Sequence, residues 1–143
     1  MNTNIQNFID CDADPIVFPG WLSLEQHRKG GMLKWNIAKF MLHIVKEQES
    51  SRHKYIVGDY LREKLYEMAV MNANVLDYLL ANPHLIPEEW KIRRVFFWGT
   101  IYRDEKGSLF VRYLFWRKGE WRWYAKWLGD HWGELDPAAI LVS

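Results

Sequence analysis

RVFFWGTIYRDEKGSLFVRYLFWRKGEWRWYAKW, Arg94 to Trp127, is the stretch that decides the fold. It contains three runs, RVFFWGTIYR, LFVRYLFWR and EWRWYAKW, in which aromatic and β-branched residues follow a period of two. That is the texture of a strand with two different faces. DEKG and KG separate the runs, and both are hairpin connections, since Gly accepts the positive φ that a tight reversal needs. The segment predicts a three-stranded antiparallel meander over about 94–103, 109–117 and 120–128.

Pairing rules assign the faces. If Arg117 and Glu120 flank the KG turn, Trp116 pairs with Trp121, Leu114 with Trp123, and Phe110 with Trp127, all on one face. If Arg103 and Ser108 flank DEKG, Val95, Phe97, Gly99 and Ile101 join that face, which becomes the core face. Arg112 lies on it opposite Gly99, so its guanidinium should be partly buried and met by a carboxylate or by backbone carbonyls, with room left by the missing side chain. One extra residue in the DEKG connection would shift the register and swap the faces.

The opposite face collects Trp98, Tyr102, Tyr113, Phe115, Arg117, Arg122, Tyr124 and Lys126. Rings there accept flat bases while Arg and Lys neutralise phosphates, so the face is a candidate site for single-stranded nucleic acid or another polyanion. The same Trp, Tyr and Arg composition also suits a protein partner, as in a regulatory or inhibitory interaction module. The bland alternative is structural: the first 57 residues lie across the face and bury its rings. Charge supports a local feature in either case. Ten of the 19 basic residues, but only three of the 18 acidic ones, fall between residues 91 and 128, and so do 12 of the 23 aromatics. The net charge of +1 hides this asymmetry.

Working outward, Leu61, Leu65 and Met68 are spaced for one side of a helix over about 59–71, with Asp59 suited to its positive end. A second helix, about 74–82, takes Asn72 or Asn74 as its cap and ends at Asn82–Pro83. Pro87 opens a single turn. Covering the meander with both helices gives a two-layer α+β domain. Upstream, LSLEQHRKGG is compatible with one helical turn stopped by Gly30 and Gly31. MLKWNIAKFMLHIV fits a hairpin, or a strand followed by a short helix. KEQESSRHK reads as a loop, and AAILV near the end adds a strand. Residues 1–15, with Asp10, Asp12 and Asp14 before Pro15, form a loosely held arm on a single domain of residues 16–143.

With 143 residues, 49% hydrophobic and 26% charged, the chain has globular composition. Its uncharged runs fall well short of the roughly 20 apolar residues of a membrane span, and its start lacks a basic leader. A cytoplasmic protein that does not engage the membrane is the expectation. The single cysteine, Cys11, can form neither an internal disulfide nor a structural zinc site alone. Three Asp neighbours should raise its pKa, and Cys11→Ser should be tolerated.

Catalytic signals are sparse. FIDCDADP has a superficial likeness to the aspartate motif of haloacid-dehalogenase-type phosphatases, but the preceding IQNFI is a poor strand and the later spacing is too short. EQHRKGG puts Glu25, His27 and Arg28 beside a Gly pair, a candidate acid–base site or anion-binding turn without P-loop spacing. The histidines show no metal-binding spacing and no Ser sits in a nucleophile elbow, so neither a metal nor a cofactor is expected. The reading leans away from an enzyme, with one centred on Glu25, His27 and Arg28 ranked third. Finally, EQHRKGGMLKWN, MNANVLDYLLANPHLIPEEWK and FFWGTIYR followed by VRYLFW resemble strings in a family of short uncharacterised bacterial proteins. The resemblance covers residues 16–142, implies one domain, and supplies no activity.

Overall fold

The computed structural model describes residues 8–49 and 55–142. Among the described residues, eleven strands and two α-helices follow one another. They are β1 (Phe8–Asp10), β2 (Ser23–His27), β3 (Met32–Lys34), β4 (Phe40–His43), β5 (Ile56–Val57), α1 (Gly58–Lys64), α2 (Ala73–Ala81), β6 (Val95–Phe96), β7 (Thr100–Arg103), β8 (Leu109–Arg117), β9 (Glu120–Trp127), β10 (His131–Trp132) and β11 (Ala138–Leu141). The architecture is α+β. The main sheet runs β2-β7-β8-β6-β11-β4, with β9 on the other edge of β8; β1 pairs with β3 and β5 with β10.

The β8–β9 hairpin has the register expected from its turn, from Arg117↔Glu120 to Phe110↔Trp127. Lys118 and Gly119 both hold positive φ, 52° and 81°, as a two-residue turn matched to strand twist requires. The third run differs from expectation. Arg103 pairs with Leu109 rather than Ser108, because DEKGS closes as a five-residue loop whose Asp104 carboxylate accepts from the Lys106 and Ser108 amides. This one-residue shift puts Tyr102 beside Phe110, on the face assigned to the core. Three residues, Phe97 to Gly99, then leave the ladder before pairing resumes at Phe96↔Tyr113 and Val95↔Leu114. The expected strand 94–103 is thus two short strands along one edge of β8. β6 leads on to β11, and β7 to β2.

Both sheet faces are covered, from opposite sides. Val75, Leu76 and Leu79 of α2 pack with Val95, Phe97, Leu114, Trp35 and Trp90. Leu61 of α1 and Leu65 just beyond it pack with Phe96, Trp98, Ile101, Val111 and Trp132. The helices therefore bracket the sheet instead of sharing one face, and a sheet apolar on both sides demands that arrangement. β11 shows it most clearly: Ala138 and Ile140 join one cluster while Ala139 joins the other. α1 ends at Lys64, well before the 71 at which the sequence-read helix stops, whereas α2 matches its expected span to within a residue and is capped by Asn72, whose Oδ1 accepts from the Asn74 amide at 3.0 Å.

LSLEQHRKGG supplies strand β2 rather than a helical turn. It pairs with β7, with a bulge at Glu25 between Leu24↔Tyr102 and Gln26↔Ile101. MLKWNIAKFMLHIV resolves into β3, one 3-10 turn over Ile37–Lys39, and β4. Residues 1–7 of the arm and 50–54 of the loop lie outside the described residues. From Phe8 onward the arm pairs with β3, and Ile9 and Cys11 are buried in the α2-side core. No helix among the described residues is long and apolar enough to cross a membrane.

Candidate binding surface on the outer hairpin

Eight side chains were candidates for a binding face, and the fold separates them. Trp98 is buried with its ring centroid 5.0 Å from that of Trp132. Tyr102 is buried on the other face, its hydroxyl donating to the Ile16 carbonyl at 2.8 Å, because the DEKGS loop inverted the alternation of β7. Burial holds its phenol above the usual tyrosine range, against the opposing pull of Arg112. Trp98 is covered by Leu61 of α1, Leu65, Leu128 and Trp132 with Ile56, whereas Tyr102, on the other face, packs with Phe18 and Leu22.

The remaining six share the outward face of the β8–β9 hairpin. Tyr113 is half-buried, with ring centroids of Phe96, Phe115 and Tyr124 at 4.6, 5.6 and 6.4 Å. Burial raises its pKa, and nearby Arg94 offsets part of the rise. Tyr124 opposes it across the pair and is 56% exposed. Phe115, directly opposite Arg122, is half-buried.

The cations are unequally free. Lys126 reaches the Asp136 carboxylate at 3.3 Å and lies 5.1 Å from the Trp132 ring. Arg94 donates to Asp136 Oδ1, while Oδ2, the oxygen that Lys126 reaches, also accepts from the Gly133 amide at 3.0 Å. Asp136 is buried, so Lys126 and Arg94 are parts of a structural anchor. Arg122 pairs with Glu120 in the open, a contact that costs little to exchange. Arg117 is exposed and has no carboxylate partner among the described residues. Sequence reasoning missed Asp136; the signal was the Asp–Pro step, which marks a turn, here closed by the Asp136 amide on the Gly133 carbonyl.

On the other side of the hairpin tip, Trp116 and Trp121 meet edge to face at 5.5 Å and wall a groove of about 520 Å³ with Pro83, Ile86 and Lys91. Lys91 places its ammonium 3.9 Å from the Trp116 ring while pairing with Glu88 at 2.9 Å. β9 is an edge strand. Its residues beside the turn alternate so that Trp121, Trp123 and Ala125 direct their N–H and C=O groups away from β8. The Trp21 ring sits 5.6 Å from Trp123 and 6.1 Å from Tyr124, side chains on opposite faces, so the indole straddles this edge and hinders strand addition.

Glu25, His27 and Arg28 do not converge. Glu25 pairs with Arg103. His27 bonds Thr100 Oγ1 at 2.9 Å and the Cys11 carbonyl at 3.1 Å, and Arg28 donates to the Met68 carbonyl at 3.1 Å. Among the described residues no three His, Cys, Asp or Glu side chains gather as a metal site. Compared with protein-family models, with curated proteins and with solved structures, the chain matches none.

Proposed function

We propose that the protein is a binding module for another polypeptide, which it holds on the outer side of the β8–β9 hairpin with Tyr124 as the central anchor and Arg117 and Arg122 beside it. The observation that supports this best is the exposure of Tyr124 on a rigid strand, flanked by Phe115 and by cations that a partner's carboxylates can reach. Tyr and Arg placed in this way are the side chains that dominate protein interfaces. The Trp116–Trp121 groove around the tip adds an apolar seat for a partner side chain. The complementary partner segment is acidic, with at least one large apolar residue.

The polyanion reading draws on the same face and is weaker. Of Arg94, Arg117, Arg122 and Lys126, two are committed to Asp136. A phosphate backbone needs several free cations in a row. The test is a random-peptide display selection on the full chain, followed by affinity measurements on enriched peptides. Acidic peptides that lose about 30-fold in affinity with Tyr124→Ala, and more than tenfold with Arg122→Glu, support the proposal. Enriched peptides indifferent to both substitutions overturn it. Oligodeoxythymidine supplies the second arm: tight binding that falls steeply with salt, without peptide enrichment, replaces the proposal with the polyanion reading.

A further inference from the structure

A cavity of about 230 Å³ opens between the Arg28–Gly31 loop and the 69–72 segment, and none of its lining residues belongs to the β8–β9 hairpin. Its walls are Leu33, Val70, Met71, Val75 and Leu141 together with Cys11. Arg28, Lys29 and Asn72 supply its polar side chains, and no carboxylate belongs to the lining. The mouth is held open by hydrogen bonds made before any ligand arrives. Asn72 Nδ2 donates to the carbonyls of Cys11 and Arg28, both at 3.0 Å, the Cys11 amide to Gly31 O at 2.9 Å, and the Arg28 amide to Gly99 O at 2.7 Å. Gly31, at a φ of 71°, makes the turn that brings the Arg28–Lys29 pair over the opening.

We infer that this cavity binds a small amphipathic anion, an apolar carboxylate whose tail enters between Leu33, Met71 and Val75 and whose head is met by Arg28 and Lys29. Apolar walls with a few polar groups at one end are the usual form of a small-molecule site. Arg28 has used one of its nitrogens, on Met68 O, and Lys29 has no partner among the described residues. The nearest carboxylates are already engaged: Asp10 accepts from the Asp12 amide at 3.1 Å, and Asp12 from the Gly31 amide at 2.9 Å. Asp12 thus fixes the turn and leaves the two cations for an incoming anion. A neutral Cys11 thiol suits the apolar wall, and burial with Asp10 and Asp12 nearby lifts its pKa to about 11. EQHRKGG, one possible anion-binding turn in the sequence, accordingly forms the rim of a preformed cavity.

Hexanoate titrated into the full chain, with binding read by calorimetry and by the rate of Cys11 alkylation, tests this. Saturable binding that slows alkylation is expected, with hexylammonium failing to do either. Arg28→Gln should weaken hexanoate by about tenfold or more, the loss of a charge-assisted contact. Because Arg28 also holds Met68 O, Lys29→Gln, at an exposed residue with no partner to lose, must weaken binding as well while leaving the unfolding midpoint unchanged. Leu33→Trp, which fills the cavity from β3, should abolish binding. No saturable hexanoate binding up to about 10 mM, or equal affinity for hexylammonium, overturns the assignment.

Discussion

Removing the Asp77 carboxylate is expected to do more damage than removing the whole ion pair to which it belongs. Arg112 is 1% exposed in the middle of the sheet, and its two terminal nitrogens donate to Asp77 of α2 at 3.0 and 2.9 Å. The rest of its surroundings are rings, with Trp123 at 4.0 Å and Phe18 at 5.0 Å. Aromatic faces attract a cation but do not replace a counter-charge, so Asp77→Ala leaves a buried guanidinium uncompensated, a change worth about 3–5 kcal/mol. The Asp77 side chain is 24% exposed, so water can enter at the gap, which points to the lower end, about 3 kcal/mol. The double variant Asp77→Leu, Arg112→Met removes both charges and fills the space with apolar atoms, and should lie within about 1 kcal/mol of wild type. Urea unfolding followed by tryptophan fluorescence measures each difference, with an unchanged m-value showing that the transition stays comparable. A cost below about 1 kcal/mol for Asp77→Ala, or a double variant weaker than that single one, would refute the argument.

Other outcomes follow from the same geometry. Gly58→Ala should cost about 2–4 kcal/mol in urea unfolding, because the added Cβ would fall 2.4 Å from the Leu128 carbonyl oxygen and 2.7 Å from Trp132 Nε1, while Gly133→Ala, with open space around it, should be near neutral. Cys11→Ser, which the sequence led us to expect would be harmless, should destabilise by about 1–2 kcal/mol because it buries a hydroxyl in the α2-side core, measurable as a lower urea midpoint. Burial, then Asp10 and Asp12, raise the Cys11 pKa from 9.0 to about 11, so the folded state holds the thiol proton more tightly than the unfolded chain; stability is unaffected below pH 9 and falls as pH rises towards 11. Iodoacetamide should accordingly label the native chain far more slowly than the urea-unfolded chain at pH 8. Tyr124→Ala should change stability by no more than about 0.5 kcal/mol, so a binding loss in that variant reports on the surface alone.

What the sequence made legible was local. A two-residue turn admits one register, so the whole β8–β9 ladder could be written from Lys118–Gly119. Asn72, Val75, Leu76 and Leu79 carried α2, and the apolar AAILV marked a further strand, β11. Arg112 was expected to be partly buried and met by a carboxylate or by backbone carbonyls; it is fully buried and Asp77 meets it, but the space attributed to Gly99 serves another purpose. A Cβ there would stand 2.8 Å from Asn72 Cα, so Gly99 lets the α2 cap approach the backbone. That contact joins residues far apart in sequence, and it is where Phe97–Gly99 leave the ladder; no local pattern announces it. The exposed and buried halves of the aromatic face were hidden for the same reason. Trp98 and Tyr113 look alike as strand residues, and only the position of α1 and Trp132 distinguishes them.

The place of β11 bears on how the chain comes to be folded during synthesis. It is the last strand in chain order, yet it is interior, bounded by β4 along one edge and by Phe96 and Val70 along the other. Its partners β4 and β6 are made long before it, and until Ala138–Leu141 emerge they have no neighbour to close the sheet. During elongation the β8–β9 hairpin can form from its own turn and β6 can pair with β8, while the strand edge of β4 and the outer edge of β6 wait for β11. A chain stopped before Ala138 therefore leaves β4 without its strand partner and removes Ala138, Ala139 and Ile140 from the two clusters at once.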